Sequence, residues 1–305
     1  MKNGFTEYIT KHDLARYENE KVLEEGKSNF ASSFAVLSRD EKNAINSVYS
    51  FCSYIDDIVD APENSASARK RKLERLHWWE EIIEKFYAGN IDNIAMKPFE
   101  KLIGHYNIPK QYFITLIDGC KRDLLQNRYA TFDELKEYCY GVAGIVGLIS
   151  IEIFGYKYEE TKNYAINLGY ALQLTNIIRD VKADKLRNYI YLPKEDLERF
   201  DYSEEDIINE VYNENFLELM RFQTSRAREY FHKARTCLHP DERATVFAAE
   251  IMDAIYYRLL EKIELNEFRI YDKRIRVSTP HKIYLAFKHK VQAALLVDRI
   301  KKNNA

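Results

Sequence analysis

Apolar residues recur every three or four positions along almost the whole chain, and that spacing limits it to helices packed on helices. In 41–60, Ile45, Val48, Cys52, Ile55 and Val59 step in this way and predict one buried helical face. The same period predicts helices over 73–87, 111–126, 131–155, 160–183, 204–238 and 241–268, and Pro98 and Pro109 bracket a short one. Thr131, with Glu134 three residues on, predicts a capping box, and "LRNYIYLPKED" breaks the long helix that precedes it. Only 10 Gly and 6 Pro interrupt 305 residues, few enough to favour helix throughout. No Gly/Ser-rich linker and no fixed-period repeat divides the chain. The expectation is all-α, a single domain over 1–305.

The net charge of −2 gives no general attraction to nucleic acid. Cys52, Cys120, Cys139 and Cys237 are scattered without C-x-x-C spacing, which predicts reduced thiols in a cytoplasmic protein rather than a disulfide framework or a zinc site. The seven His likewise show no ligand spacing. "MKNGFTEYITKHD" lacks the apolar core of a signal peptide, and no run approaches ~18 consecutive apolar residues. The segment Arg269–Lys302 holds ten Lys/Arg against two Asp. That asymmetry predicts peripheral attachment to the inner face of a membrane, by attraction to anionic lipid.

"SYIDDIVDAP" puts Asp56, Asp57 and Asp60 in an otherwise apolar helix, where carboxylates rarely sit without partners. Residues three and four apart share a helix face. Tyr49, Ser53, Asp56 and Asp60 therefore form one stripe, with Asp57 beside it. In 166–184, Gly169, Gln173, Asn176, Asp180 and Asp184 form a second, alongside the apolar Ile166, Tyr170, Leu174, Ile177 and Val181. If the two stripes face each other, four or five carboxylates converge, which is unfavourable without cations. All-oxygen ligands suit Mg²⁺, which takes one or two carboxylates plus phosphate oxygens. This predicts a diphosphate substrate bridged to protein by Mg²⁺, with Asn176 as a neutral ligand and Arg179, Arg274 and Arg276 neutralising phosphate. It also predicts that removing one carboxylate leaves the fold as stable as before, or more so. Gly141, Gly144 and Gly147 recur every third residue inside a helical pattern and predict close helix packing or a local kink.

"YSFCSYIDDIVD", "YCYGVAGIVG", "LQLTNIIRDVKAD", "IYLPKEDLERF" and "RIRVSTPHKIYLAF" resemble the signature segments of the squalene/phytoene synthase family, in order and spacing, over about 25–290. The resemblance implies the isoprenoid synthase fold, a helical bundle with a central cavity. It implies an enzyme that joins two prenyl diphosphates head to head through a cyclopropyl diphosphate, acting as a monomer or dimer. Mg²⁺ is the implied cofactor, with Mn²⁺ able to replace it, and NADPH is needed only if the product is fully reduced squalene. By position, Asp56, Asp60, Asp180 and Asp184 are the metal carboxylates, with Asn176 and Gln173 as the polar pair beside them. Tyr138 is the tyrosine of the proton-transfer steps. Tyr49, Arg179, Tyr256 and Arg274 contact diphosphate, and Asp118 and Asp123 are a further acidic pair in the pocket.

Two positions depart from the family pattern: Ser53 and Tyr189 stand where arginines are usual, with Arg187 two residues before Tyr189. The departures keep two other readings open, a prenyl-diphosphate phosphatase or cyclase and a non-catalytic assembly factor. Intact carboxylate pairs argue against the second. Phe30 and Phe34 lie one helical turn apart and would fill the far end of a prenyl cavity. They predict C15 farnesyl diphosphate as substrate and presqualene diphosphate or a squalene-type C30 product, rather than phytoene from two C20 geranylgeranyl diphosphates.

Overall fold

The computed structural model describes residues 33–34, 37–61, 65–90 and 103–303. Eleven helices are named here: α1 (Arg39–Asp60), α2 (Ala66–Tyr87), α3 (Lys110–Leu125), α4 (Phe132–Cys139), α5 (Ile145–Phe154), α6 (Glu160–Leu186), α7 (Lys194–Arg199), α8 (Glu204–Ile208), α9 (Glu214–Cys237), α10 (Phe247–Leu265) and α11 (Thr279–Asn303). No strand occurs among the described residues; one isolated bridge joins Arg128 and Ile190.

Local chemistry sets the ends. Ser38 starts α1 with a full capping box to Glu41, and Asn213 starts α9 by accepting from the Phe216 amide. The box expected at Thr131 is only half formed. Thr131 accepts from the Glu134 amide, but the Glu134 carboxylate takes the Ala130 N–H at 2.8 Å instead. The single helix expected over 204–238 is two. Glu210 sits at φ 55° and breaks it, and the freed Val211 carbonyl accepts from the Tyr202 hydroxyl at 2.7 Å. Similarly, 241–268 begins as a 3-10 turn at Pro240–Glu242 and becomes α-helical at Phe247.

The 27-residue α6 runs through the centre of the bundle and touches α5, α9, α10 and the turn before α5. That turn, Tyr140–Gly144, is a π-helix between α4 and α5, so the triplet of glycines marks both a kink and a close contact. A Cβ on Gly147 would lie 2.6 Å from the Ala165 carbonyl oxygen, and one on Gly169 would lie 2.7 Å from that of Ala143. The two backbones are in van der Waals contact there, and only glycine permits it. The run Phe132–Phe154 is apolar and long enough to cross a membrane by length and composition, although Glu137 and Glu152 keep its uncharged stretch short of ~18 consecutive residues. In the fold it is a core helix, wedged between α3 and α6.

Gly147→Ala should therefore lower unfolding stability by about 1–3 kcal/mol, since backbone rather than a side chain must move. Gly104→Ala, where nothing lies within 4 Å of the added Cβ, should leave it unchanged or slightly raised. Urea midpoints of the two variants check this.

Candidate active site

α1 and α6 present their polar stripes to one cavity. Its mouth is lined by Asp56 and Asp60 from α1 and by Gln173, Asn176, Arg179, Asp180 and Asp184 from α6, with Asp123, Tyr138, Arg187 and Tyr191 completing the wall. Both carboxylate pairs thus converge as the spacing predicted, and protein cations stand between them. Arg187 links the helices, its Nη1 2.7 Å from Asp60 Oδ2 and its Nη2 3.1 Å from Asp184 Oδ1. Asp180 is gripped twice: Arg179 bonds it from within α6, and Arg274 donates from Nε and Nη2, both at 2.9 Å. Behind α1, the buried Lys72 donates to the Val59 and Ala61 carbonyls at 2.8 and 2.6 Å. It caps the helix end that carries Asp60.

These contacts divide the carboxylates. Burial pushes Asp180 up, but Arg179 and Arg274 outweigh it and hold its carboxyl below the usual range. Burial dominates at Asp184 in spite of Arg187 and raises it to about 6. Burial also raises Asp123 to about 7, against the opposing pull of the Tyr138 and Tyr191 hydroxyls and with Asp56 and Asp60 adding to the rise. Tyr138 donates to Asp123 Oδ2 at 3.0 Å and is stacked on Tyr191. Desolvation and the Asp123 charge keep the Tyr138 phenol protonated well above its ordinary range.

Below the mouth the cavity turns apolar. Asp56, Val142, Gln173 and Asn176 belong to both halves. The deeper half mixes small wall residues, among them Ala143, Gly147, Ala165 and Gly169, with larger ones such as Val146, Leu168, Leu172 and Met252, and reaches Phe154 and Tyr164. From Asn176 to Tyr164 along α6 is about 18 Å at 1.5 Å per residue.

The expected residues divide as follows. Tyr49, Ser53 and Tyr256 line the deeper half, and Phe34 is buried in its wall; Phe30 lies outside the described residues. Asp57 is exposed beside the stripe and does not line the cavity. Asp118 is corrected: it pairs with Lys121 at 3.4 Å and lines a separate surface groove, because α3 turns it away from Asp123. Arg276 is exposed, and its carbonyl accepts from Lys262 at 2.6 Å. Tyr189 donates to the Asp123 carbonyl at 2.7 Å. Residues the pattern did not single out are Lys72, Tyr191 and Lys282. Burial and the nearby Arg276 and Arg179 push the Lys282 amine down. Only Arg187, three residues after Asp184, carried a signal by spacing.

Among the described residues no three acidic, His or Cys side chains are drawn together as a ready metal cage, since arginines take up the carboxylates. The donor set nevertheless fits Mg²⁺. Asp180, Asp184 and Asn176 offer only oxygen, and Asn176 Oδ1 is buried without a hydrogen-bond partner.

The expectation that losing any carboxylate spares the fold is corrected by these pairings. Asp180→Asn leaves the largely buried Arg179 uncompensated and should lower the melting temperature. Asp184→Asn should raise it. Because the folded pKa of Asp184 lies above the unfolded value, its cost grows as pH rises from about 4 to about 6. The Asp184→Asn gain is thus largest above pH 6 and fades toward pH 4, which thermal melts across that range will read.

The squalene/phytoene synthase family pattern matches residues 23–281. A phytoene synthase from Arthrospira platensis is 38% identical over 255 residues, covering 78% of this chain and 80% of that protein. A 15-cis-phytoene synthase from Synechococcus elongatus is 35% identical over 258 residues, covering 80% and 82%. Among solved structures, a dehydrosqualene synthase matches with a TM-score of 0.76 at 23% identity, over 95% of this chain and 99% of that one; this match bears on the fold alone. The helical bundle is thus the isoprenoid synthase fold, and the chain belongs to the squalene/phytoene synthase family of prenyl-transferring enzymes.

Proposed function

We propose that the protein is a phytoene synthase that condenses two molecules of geranylgeranyl diphosphate, with Mg²⁺ as cofactor. The observation that carries this reading is the continuity of the arginine-lined acidic mouth with a long apolar cavity. The C15 expectation rested on Phe30 and Phe34, and it gives way for two reasons. The relatives from Arthrospira platensis, Synechococcus elongatus and Synechocystis, 35–38% identical, are named phytoene synthases. Phe34 is also one of five rings in the wall, with Tyr49, Phe154, Tyr164 and Tyr256, so it does not by itself set where the channel ends. An extended chain gains about 1.2 Å per bond, so an isoprene unit of four bonds takes roughly 5 Å. A chain with its tail at Tyr164 would reach past Asn176 toward Asp180 with four units, roughly 20 Å, but would stop short of Asn176, ~18 Å along α6, with three, roughly 15 Å.

Asp56, Asp60, Asn176, Asp180 and Asp184 would hold Mg²⁺, which when bound supplies positive charge to the departing diphosphate. The chain's own residues do the rest. Arg179, Arg187 and Arg274 exchange carboxylate for phosphate oxygens and orient the diphosphates. Apolar walls keep water from the allylic cation, and Tyr49 and Tyr256 offer aromatic faces to it. The second alkene attacks C1 of the first prenyl group, one proton leaves and a cyclopropane closes. Ionisation of the second diphosphate, rearrangement and loss of another proton complete the hydrocarbon. Each half releases one diphosphate and one proton, so no NADPH is consumed. Asp123, poised near neutrality and bonded to Tyr138, is the group suited to accept a proton.

Given equimolar C15 and C20 diphosphates with Mg²⁺, the protein should release mainly a C40 hydrocarbon, and a chelator should stop it. An excess of C30 product would return the assignment to the squalene-type reading. Asp60→Asn and Asp180→Asn should each lower turnover by about 10²–10³-fold. Single-turnover rates should rise with pH through about 7 as Asp123 ionises. Asp123→Asn should be slow and lack that limb, and an unchanged profile would remove Asp123 from proton transfer.

A further inference from the structure

The outward face of α11 leaves a stripe of large apolar side chains in solvent. Ile283, Phe287, Val291 and Leu295 follow one another at intervals of four, with Tyr284 beside them. Their exposures are 61, 68, 41, 65 and 58% in that order, Tyr284 last. At 3.6 residues per turn they share a sector roughly 120° wide. The opposite side carries the buried Ala286 and the half-buried Leu285, His289 and Leu296, and it packs on α10. α11 is therefore apolar on two sides and covered on one. Scattered apolar residues on a surface need no explanation, but a contiguous stripe of five does.

The charges around the stripe say what covers it. Lys288 and Lys290 are exposed and flank it on its two edges, and the segment Arg269–Lys302 holds ten Lys/Arg against two Asp. An apolar helix face with basic flanks matches the layering of a bilayer surface, acyl chains beneath phosphates, and lysine stems reach from one layer to the other. A second copy of this chain fits less well. An isologous contact through the stripe sets Lys288 and Lys290 of one copy against the same residues of the other.

We propose that this face of α11 docks the protein on an anionic lipid bilayer, with the apolar stripe in the headgroup–acyl boundary and Lys288 and Lys290 on lipid phosphates. The proposal stands on the helix face and not on the reaction, so it holds or fails whatever the substrate.

Flotation with phosphatidylcholine vesicles, with and without about a third phosphatidylglycerol, tests it. The wild-type protein should float with the anionic vesicles at low salt and much less with the neutral ones. Phe287→Ser/Leu295→Ser should weaken binding more than tenfold, and so should Lys288→Glu/Lys290→Glu. Both variants should melt like wild type, because the replaced side chains are exposed. Undiminished binding by the serine variant overturns the proposal, as does absence of wild-type binding. A dimer in vesicle-free solution that the serine substitutions dissolve would give the face to a second copy instead, and overturn it too.

Discussion

Asp56, Asp60, Asp180 and Asp184 repel one another across the mouth of the cavity, and much of the surrounding structure serves to hold them there. Two unit charges 4 Å apart interact by about 4 kcal/mol at the effective dielectric of a protein surface, so the cluster is stable only with cations interleaved. Those cations come from distant segments. Arg187 follows α6 and reaches back to α1, and Arg274 comes from the loop between α10 and α11. The charge of the site thus fixes where the C-terminal loop lies, and tertiary structure and electrostatics become one problem. The segment that follows Arg187 is held on its other side by backbone bonds from Ile190, Lys194 and Glu195 to the Asn127, Tyr129 and Ala130 carbonyls, which brings Tyr189 and Tyr191 against Asp123 and Tyr138.

The apolar half answers to a different constraint. A prenyl chain needs a dry channel between helices, but close-packed interiors leave few voids. Here the channel exists beside contacts so tight that glycine is required. α6 touches α5 at Gly147 and the π-helical turn at Gly169, and small side chains then line part of the space next to them. The π-helical turn at Tyr140–Gly144 shifts the register between α4 and α5. Tyr138 can therefore face the acidic mouth while Val142 and Val146, from the turn onward, face the channel.

The helical fold and both polar stripes were legible from spacing alone, because a period of 3.6 records which face is buried. The breaks at Glu210 and near Val246 were not, since tertiary contacts at Val211 and around the 3-10 turn decide them rather than Gly or Pro. Charge partners were read least well. The sequence shows that Asp180 and Asp184 share a face, but not that two arginines grip one while burial dominates the other. Asp118 misled for a related reason: five residues from Asp123, it falls well over a turn on and faces away from it. Substrate length hung on two rings near the N-terminus, and the channel wall depends on residues from four helices.

Arg187 also bears on the two missing arginines. Ser53 adds no charge to the channel wall, and Tyr189 donates to a backbone carbonyl, so neither replaces the cation usual at its position. The two carboxylate pairs and Asp123 face three guanidinium groups, from Arg179, Arg187 and Arg274, which leaves one negative charge with Asp123 protonated and two with it ionised, before any substrate enters. A diphosphate would add about three more in a site whose arginines are already paired. Entry on those terms is repulsive, and breaking a buried pair to meet the phosphate costs several kcal/mol. Divalent cations bound as proposed would relieve both difficulties: Asp56, Asp60, Asn176, Asp180 and Asp184 would hold them, and Arg179, Arg187 and Arg274 would be free to turn toward phosphate. Arg187, half exposed and bridging both helices, is the one best placed to make that exchange.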